Sequence, residues 1–159
     1  MILIDANLLI SAIDSDAPQH RRARAWLERV RSGADPVGLP WIVILAFLRV
    51  TTREGIMRRP LPLAAALAYV QSWLRQPCVE AIGPGDHHWP ILCRLLEATG
   101  TAGNLTSDAH IAALALERGA AICSTDHDFA RFPGIRHVNP LAGQGAGIPR
   151  RIDRRLLSS

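Results

Sequence analysis

Short, wholly apolar runs that end on a single acid set the pattern of this chain. Ile2-Leu3-Ile4 is the first, and Asp5 ends it. A run this short and this apolar predicts a buried strand, with the acid emerging at the strand's carboxyl end. Residues 120–123 repeat the pattern, and Ser124-Thr125-Asp126-His127-Asp128-Phe129 follow directly. Val79–Ile82 predicts another short strand. Between these runs the spacing turns helical. Ala6–Ile13 is mostly apolar and stops at Asp14-Ser15-Asp16-Ala17-Pro18. His20–Arg31 carries Ala23, Trp26, Leu27 and Val30 on one side and arginines on the other. Further helices are predicted at Leu63–Leu74, behind Pro60 and Pro62, and at 86–98, behind Gly83-Pro84-Gly85. Beyond a loop at 99–104, Asp108 opens a run in which Ile111, Leu114 and Ala115 recur at helical spacing until Gly119 stops it. Trp41–Thr51 is apolar and β-branched, and periodicity leaves it open between strand and buried helix. Strands alternating with helices predict an α/β fold with a mainly parallel sheet, whose ligands bind at the carboxyl ends of the strands.

With 159 residues, the chain suffices for one domain with its own core. We place that domain at residues 1–140, followed by a C-terminal tail at 141–159 that is rich in Gly, Pro and Arg and is expected to wrap the surface or to be mobile. The longest apolar run, 39–48, is well short of the ~20 residues a bilayer-spanning helix needs. No basic residue precedes Asp5, unlike the charged start of a secretory leader. No membrane association and a cytoplasmic location are therefore expected. Cys78, Cys93 and Cys123 are far apart and odd in number, which argues against a disulfide framework or a zinc knuckle and for small core residues. All 18 basic residues are arginine, and the net charge of +4 suits a nucleic-acid partner. Arg21-Arg22-Arg24, Arg58-Arg59 and Arg150-Arg151 are candidate phosphate contacts, with a solvated charged face as the alternative for most of them.

Asp5 and Asp126 follow strands and Asp108 begins a helix, so a parallel sheet would gather all three at one edge. Ionised carboxylates held close repel one another and raise each other's pKa, unless a cation neutralises them. Mg²⁺, with Mn²⁺ as the alternative, prefers such hard oxygen ligands and binds alongside substrate phosphates. The chemistry this predicts is phosphodiester hydrolysis by a metal-activated water. Simpler roles compete at several positions. Asp108 suits the positive end of a helix dipole, Asp128 would cap a turn at 129–131, and Asp14, Asp16 and Asp86 read as turn or cap residues. Asp5, ending an apolar strand, has little evident structural purpose. His87-His88 lack a third ligand at useful spacing and read as surface residues near a helix start, and His127 as a solvent-facing loop residue.

Together, Ile2-Leu3-Ile4-Asp5-Ala6-Asn7, Asp108-Ala109-His110-Ile111-Ala112-Ala113 and Ser124-Thr125-Asp126-His127-Asp128-Phe129 resemble, in order and spacing over roughly residues 1–140, the PIN domain and in particular the VapC toxins of toxin–antitoxin modules. Leu39-Pro40-Trp41 and Phe47-Leu48-Arg49-Val50-Thr51-Thr52 are similar to a subgroup abundant in mycobacteria and other actinobacteria. The resemblance implies a three-layer α/β/α sandwich, a helix at Trp41–Thr51, Mg²⁺-dependent endoribonuclease activity, a homodimer, and inhibition by a cognate VapB-like antitoxin. Asp5, Asp108 and Asp126 correspond to family acids, as catalytic residues and metal ligands. Ser124 matches the hydroxyl that holds the last motif, Asn7 a polar position beside the first acid, and Asp128 is a further supporting candidate. The chain departs from the pattern at one point: Ala46 stands where the family usually has a glutamate. Glu54, eight residues on, is rotated by roughly 80° from the same helical face.

Rival readings fare worse. A haloacid-dehalogenase-type phosphotransferase needs Asp-x-Asp and a lysine, but this chain has Asp5-Ala6-Asn7 and no lysine; a receiver domain fails for the same lack. Dinucleotide binding needs a glycine-rich turn after the first strand, and Ala6–Ile13 contains no glycine. The alternative that survives is a catalytically weak or silent fold of the same kind that binds antitoxin or RNA, and Ala46 is what keeps it open.

Overall fold

Because all three residues of β1 (Ile2–Ile4) are buried, the strand needs cover on both faces and partners on both edges. The computed structural model, which describes residues 1–143, provides both. β1 pairs in parallel with β2 (Val37–Pro40) on one side and with β4 (Ala121–Cys123) on the other. β3 (Val79–Ile82) extends the sheet beyond β2, and β5 (Arg136–Val138) beyond β4. The order is β3-β2-β1-β4-β5, and every pair is parallel. Residues 144–159, with Arg150-Arg151 and most of the expected tail, lie outside the described residues.

Among the described residues, six helices complete the α/β fold: α1 (Ala6–Ile13), α2 (His20–Arg31), α3 (Trp41–Thr51), α4 (Leu63–Leu74), α5 (His88–Thr99) and α6 (Thr106–Arg118). Right-handed crossovers from β1 to β2 to β3 carry α1–α4 on one face. The return from β3 to β4 carries α5 and α6 on the other, and the result is three layers. α1 packs on α2 and α3, and α5 on α6. The apolar stripe of α2, Ala23, Trp26, Leu27 and Val30, faces inward as its spacing predicts. Among the described residues, no helix is long and apolar enough to cross a membrane.

Two strands had no forecast, and their compositions explain why. β2 reads Val-Gly-Leu-Pro, with the two residues that most weaken a strand prediction. Gly38 is there for space: a Cβ would stand 2.6 Å from Leu3 Cδ2 and 3.1 Å from Ile82 Cδ1. β5 reads Arg-His-Val and lies at the sheet edge, where no apolar run is required. The open stretch after Pro40 is a helix, as the resemblance implied. α5 starts at His88, two residues later than the pattern predicted. α6 starts at Thr106, straight out of a 3₁₀ turn at Gly103–Leu105, so Asp108 lies within its first turn and does not open it. Of the cysteines, Cys123 is buried, while Cys78 and Cys93 are half-buried; all three are free.

Candidate active site

The chain leaves β1 toward β2 and leaves β4 toward β5, on opposite sides of the sheet. A crevice forms between neighbouring parallel strands whose connections diverge, at their carboxyl ends. Asp5 follows β1 and Ser124 follows β4, so both stand at this point. The Asp5 N–H donates to the Cys123 carbonyl at 3.0 Å, which carries the β1–β4 ladder one residue beyond the strands. Asp5 also caps α1, its Oδ1 accepting from the Ala6 N–H at 2.7 Å. This corrects the expectation that Asp5 has little structural purpose.

A single hydroxyl, that of the fully buried Ser124, organises the centre. Its Oγ donates to Asp5 Oδ2 at 2.7 Å and accepts from Asn7 Nδ2 and from the Asp126 N–H, each at 2.9 Å. One proton and two lone pairs are thereby all used. Asn7 Oδ1 in turn accepts from the Thr125 N–H at 3.4 Å. Asp126 is the cap of a 3₁₀ turn at His127–Arg131, its Oδ1 accepting from the Asp128 N–H at 2.9 Å. Asp128 thus lies inside that turn and is not its cap.

Asp108 arrives from α6 on the other layer. Asp108, Asp126 and Asp128 bring one carboxylate oxygen each within 4.8 Å of one another. Burial, and then the charges of Asp5, Asp126 and Asp128, push the Asp108 carboxyl up to about 6. Burial also raises Asp5, opposed by the hydrogen bonds from Ser124 and Ala6; Asp126 adds to the rise and His137 works against it. Asp5 stands behind the close group, with both oxygens already accepting hydrogen bonds. The residues expected from sequence, Asp5, Asn7, Asp108, Ser124, Asp126 and Asp128, therefore converge on one edge of the sheet. Their donor chemistry fits a hard divalent cation. Oxygens on a Mg²⁺ octahedron are about 3.0 Å apart at neighbouring corners and about 4.2 Å at opposite ones, so three carboxylates within 4.8 Å would draw inward to share one ion. α3 contributes no acid to this group. Ala46 is half-buried, and Glu54 lies in the exposed segment beyond the helix.

Two other features escaped the sequence reading. His137 of β5 supports the centre from behind, its Nε2–H donating to the Ser124 carbonyl at 3.0 Å. On the face away from the acids, His88 is buried, contrary to the expectation of a surface residue. Its Nε2 meets His110 Nδ1 at 2.9 Å, and its Nδ1 lies 3.3 Å from Glu117 Oε2, which also accepts from the Gly85 N–H at 3.1 Å. These groups form a polar seam between α5 and α6, built from residues 22 and 32 positions apart. The arginine clusters are partly committed as well: Arg24 pairs with Glu28 and Arg59 with Asp16, while Arg21, Arg22 and Arg58 are exposed.

A family model described as PIN domain matches residues 2–135. Among curated relatives, Ribonuclease VapC37 of Mycobacterium tuberculosis is 44% identical over 142 residues, covering 89% of this chain and 99% of its own length. Ribonuclease VapC25 of the same species is 39% identical over 140 residues, covering 88% and 99%. Among solved structures, VapBC2 from Rickettsia felis, bound to a DNA fragment from its promoter, matches with a TM-score of 0.62 at 20% identity, over 86% of this chain and 97% of that one.

Proposed function

Because this chain belongs to the PIN domain family and, within it, to the VapC ribonucleases, we propose that it is a Mg²⁺-dependent endoribonuclease toxin of a toxin–antitoxin module. Asp5, Asp108 and Asp126 are its catalytic residues, and Asp128, Ser124 and Asn7 support them. The observation that carries this reading is the gathering of four aspartates from two layers at the switch point of the sheet.

Bound Mg²⁺, or Mn²⁺ in its place, supplies positive charge beside the scissile phosphate and makes water at the site more acidic. Asp108 and Asp126 face the crevice and hold the cation there. Asp5, fixed by the Ser124 hydroxyl and the Ala6 N–H, completes the negative wall that draws it in. Ser124 and Asn7 keep the ends of β1 and β4 in register, and with them the spacing of the acids. The exposed Arg21, Arg22 and Arg58 offer phosphate contacts to an RNA strand.

The partners we propose are RNA as substrate, a cognate VapB-like antitoxin and a second copy of the chain, all in the cytoplasm. Uncovered apolar side chains support protein partners. Trp41 and Leu45 on α3 are 53% and 60% exposed, and Trp89 on α5 is 70% exposed. The apolar stripe of α2 is consumed by the core.

The deciding experiment incubates the purified chain, freed of antitoxin, with a pool of structured RNAs in Mg²⁺, in Mn²⁺ and in EDTA, beside Asp108→Asn and Asp126→Asn. Cleavage is expected only with metal, falling by about two orders of magnitude or more in both variants. Cleavage no greater than that of the variants, in either metal, would favour the silent binding module, which the missing α3 carboxylate keeps in view.

A further inference from the structure

We infer that Asp128 supplies the carboxylate that α3 does not, completing the cation-holding set on the outer side of the cluster, with Arg131 as the counter-ion that a divalent cation displaces. The inference rests on the metal-dependent reading above and assigns one residue within it.

Three observations lead to Asp128. First, Trp41–Thr51 contains no acid, so the α3 side of the crevice offers no ligand. Second, both oxygens of Asp5 already accept hydrogen bonds, from Ala6 and from Ser124, and Asp5 is absent from the group of close oxygens. That group is Asp108, Asp126 and Asp128. Third, the backbone of Asp128 is anchored while its side chain is not. Its N–H is held by Asp126 Oδ1 at 2.9 Å, which fixes the spacing between the two residues. Among the described residues its carboxylate meets only Arg131, with Nη1 to Oδ1 at 3.6 Å and both side chains about half exposed. A pair that long and that exposed is weak, so it yields readily to a divalent ion. Asp108 senses the Asp128 charge across the gap, as expected of two carboxylates facing one space.

The assignment separates four acids that look alike in sequence. Asp5 is the inner, hydrogen-bonded wall, Asp108 and Asp126 are the shared core of the set, and Asp128 is its outer arm. Displacement of Arg131 also leaves a guanidinium free beside the acid cluster.

Binding, read without catalysis, tests this. Mn²⁺ is titrated into the purified full chain at neutral pH, with free Mn²⁺ followed by electron paramagnetic resonance and heats by calorimetry, for the unaltered chain and for Asp108→Asn, Asp128→Asn, Asp128→Glu and Arg131→Gln. Asp128→Asn is expected to weaken Mn²⁺ binding about tenfold or more while keeping the circular dichroism of the unaltered chain. Asp128→Glu should recover most of that loss, and Arg131→Gln, which removes the competing cation, should bind Mn²⁺ at least about twofold more tightly. Loss of binding in Asp108→Asn with undiminished affinity in Asp128→Asn would overturn the role of Asp128 and leave the functional reading standing. Failure of the unaltered chain to bind Mn²⁺ at all would overturn the functional reading, and this assignment with it.

Discussion

Asp108 shows at the scale of one residue what the site costs the fold. Its carboxyl is pushed up to about 6 from an ordinary 3.8. Between those values the unfolded chain has released a proton that the folded chain still holds. Stability therefore falls as pH rises through this window; the favourable contribution is complete below about 3.8 and gone above about 6. The Asp108→Asn variant should escape this loss. In EDTA its melting temperature is expected to exceed that of the unaltered chain at pH 8, with the difference closing toward pH 4.5, as scanning fluorimetry would show. Added Mg²⁺ should stabilise the unaltered chain at pH 8 far more than at pH 4.5, because only the ionised group attracts it. Ser124 is the counterpart of Asp108: a buried hydroxyl that satisfies three neighbours and carries no charge.

At the scale of elements, the polar seam between α5 and α6 is the clearest target. Glu117→Ala would remove the acceptor of the exposed Gly85 N–H, which water can replace, and the carboxylate 3.3 Å from His88 Nδ1, at a cost of about 1 kcal/mol. Urea denaturation would measure it, and Mn²⁺ binding should be unchanged because the seam faces away from the acids. This seam also marks a limit of the sequence. His88 looked like a surface residue because both of its partners, His110 and Glu117, come from another helix, and no local pattern announces such a meeting. β2 was hidden by Gly38 and Pro40, whose value lies in the space between Leu3 and Ile82 and in the entry to α3. β5 was hidden because an edge strand needs no apolar run. By contrast, β1, β4 and the amphipathic α2 were legible, since each has to bury a face and its spacing records that need. The acids at the ends of β1 and β4 were legible for a related reason: an ionisable group that closes an apolar strand breaks the pattern. The PIN domain match over residues 2–135 bears out the family reading made from those motifs. The helical state of Trp41–Thr51 came from the resemblance, because apolar residues all around leave no period to read.

For the whole molecule, the apolar side chains left in solvent offer a surface that a partner could cover. Trp41 and Leu45 are one helical turn apart on α3 and both more than half exposed, an arrangement that a partner surface would cover. If a second copy covers it, light scattering of the antitoxin-free protein should give twice the 17.3 kDa chain mass, and Leu45→Glu should give the single-chain mass with an unchanged circular dichroism spectrum.

The hydrogen bond from Ser124 to Asp5 joins residues 119 positions apart, and this governs when the acid cluster can form. The first wall of the acid cluster leaves the ribosome at the start of synthesis, but it lies beside a sheet edge that stays open until β4 arrives. At ordinary elongation speeds the interval is about 6–24 s. Throughout it the nascent chain carries Asp5 without Asp126, and for most of it without Asp108, so the acid cluster is incomplete. Under the function proposed above, the site is thereby assembled only late in synthesis, because its acids are divided between distant parts of the sequence.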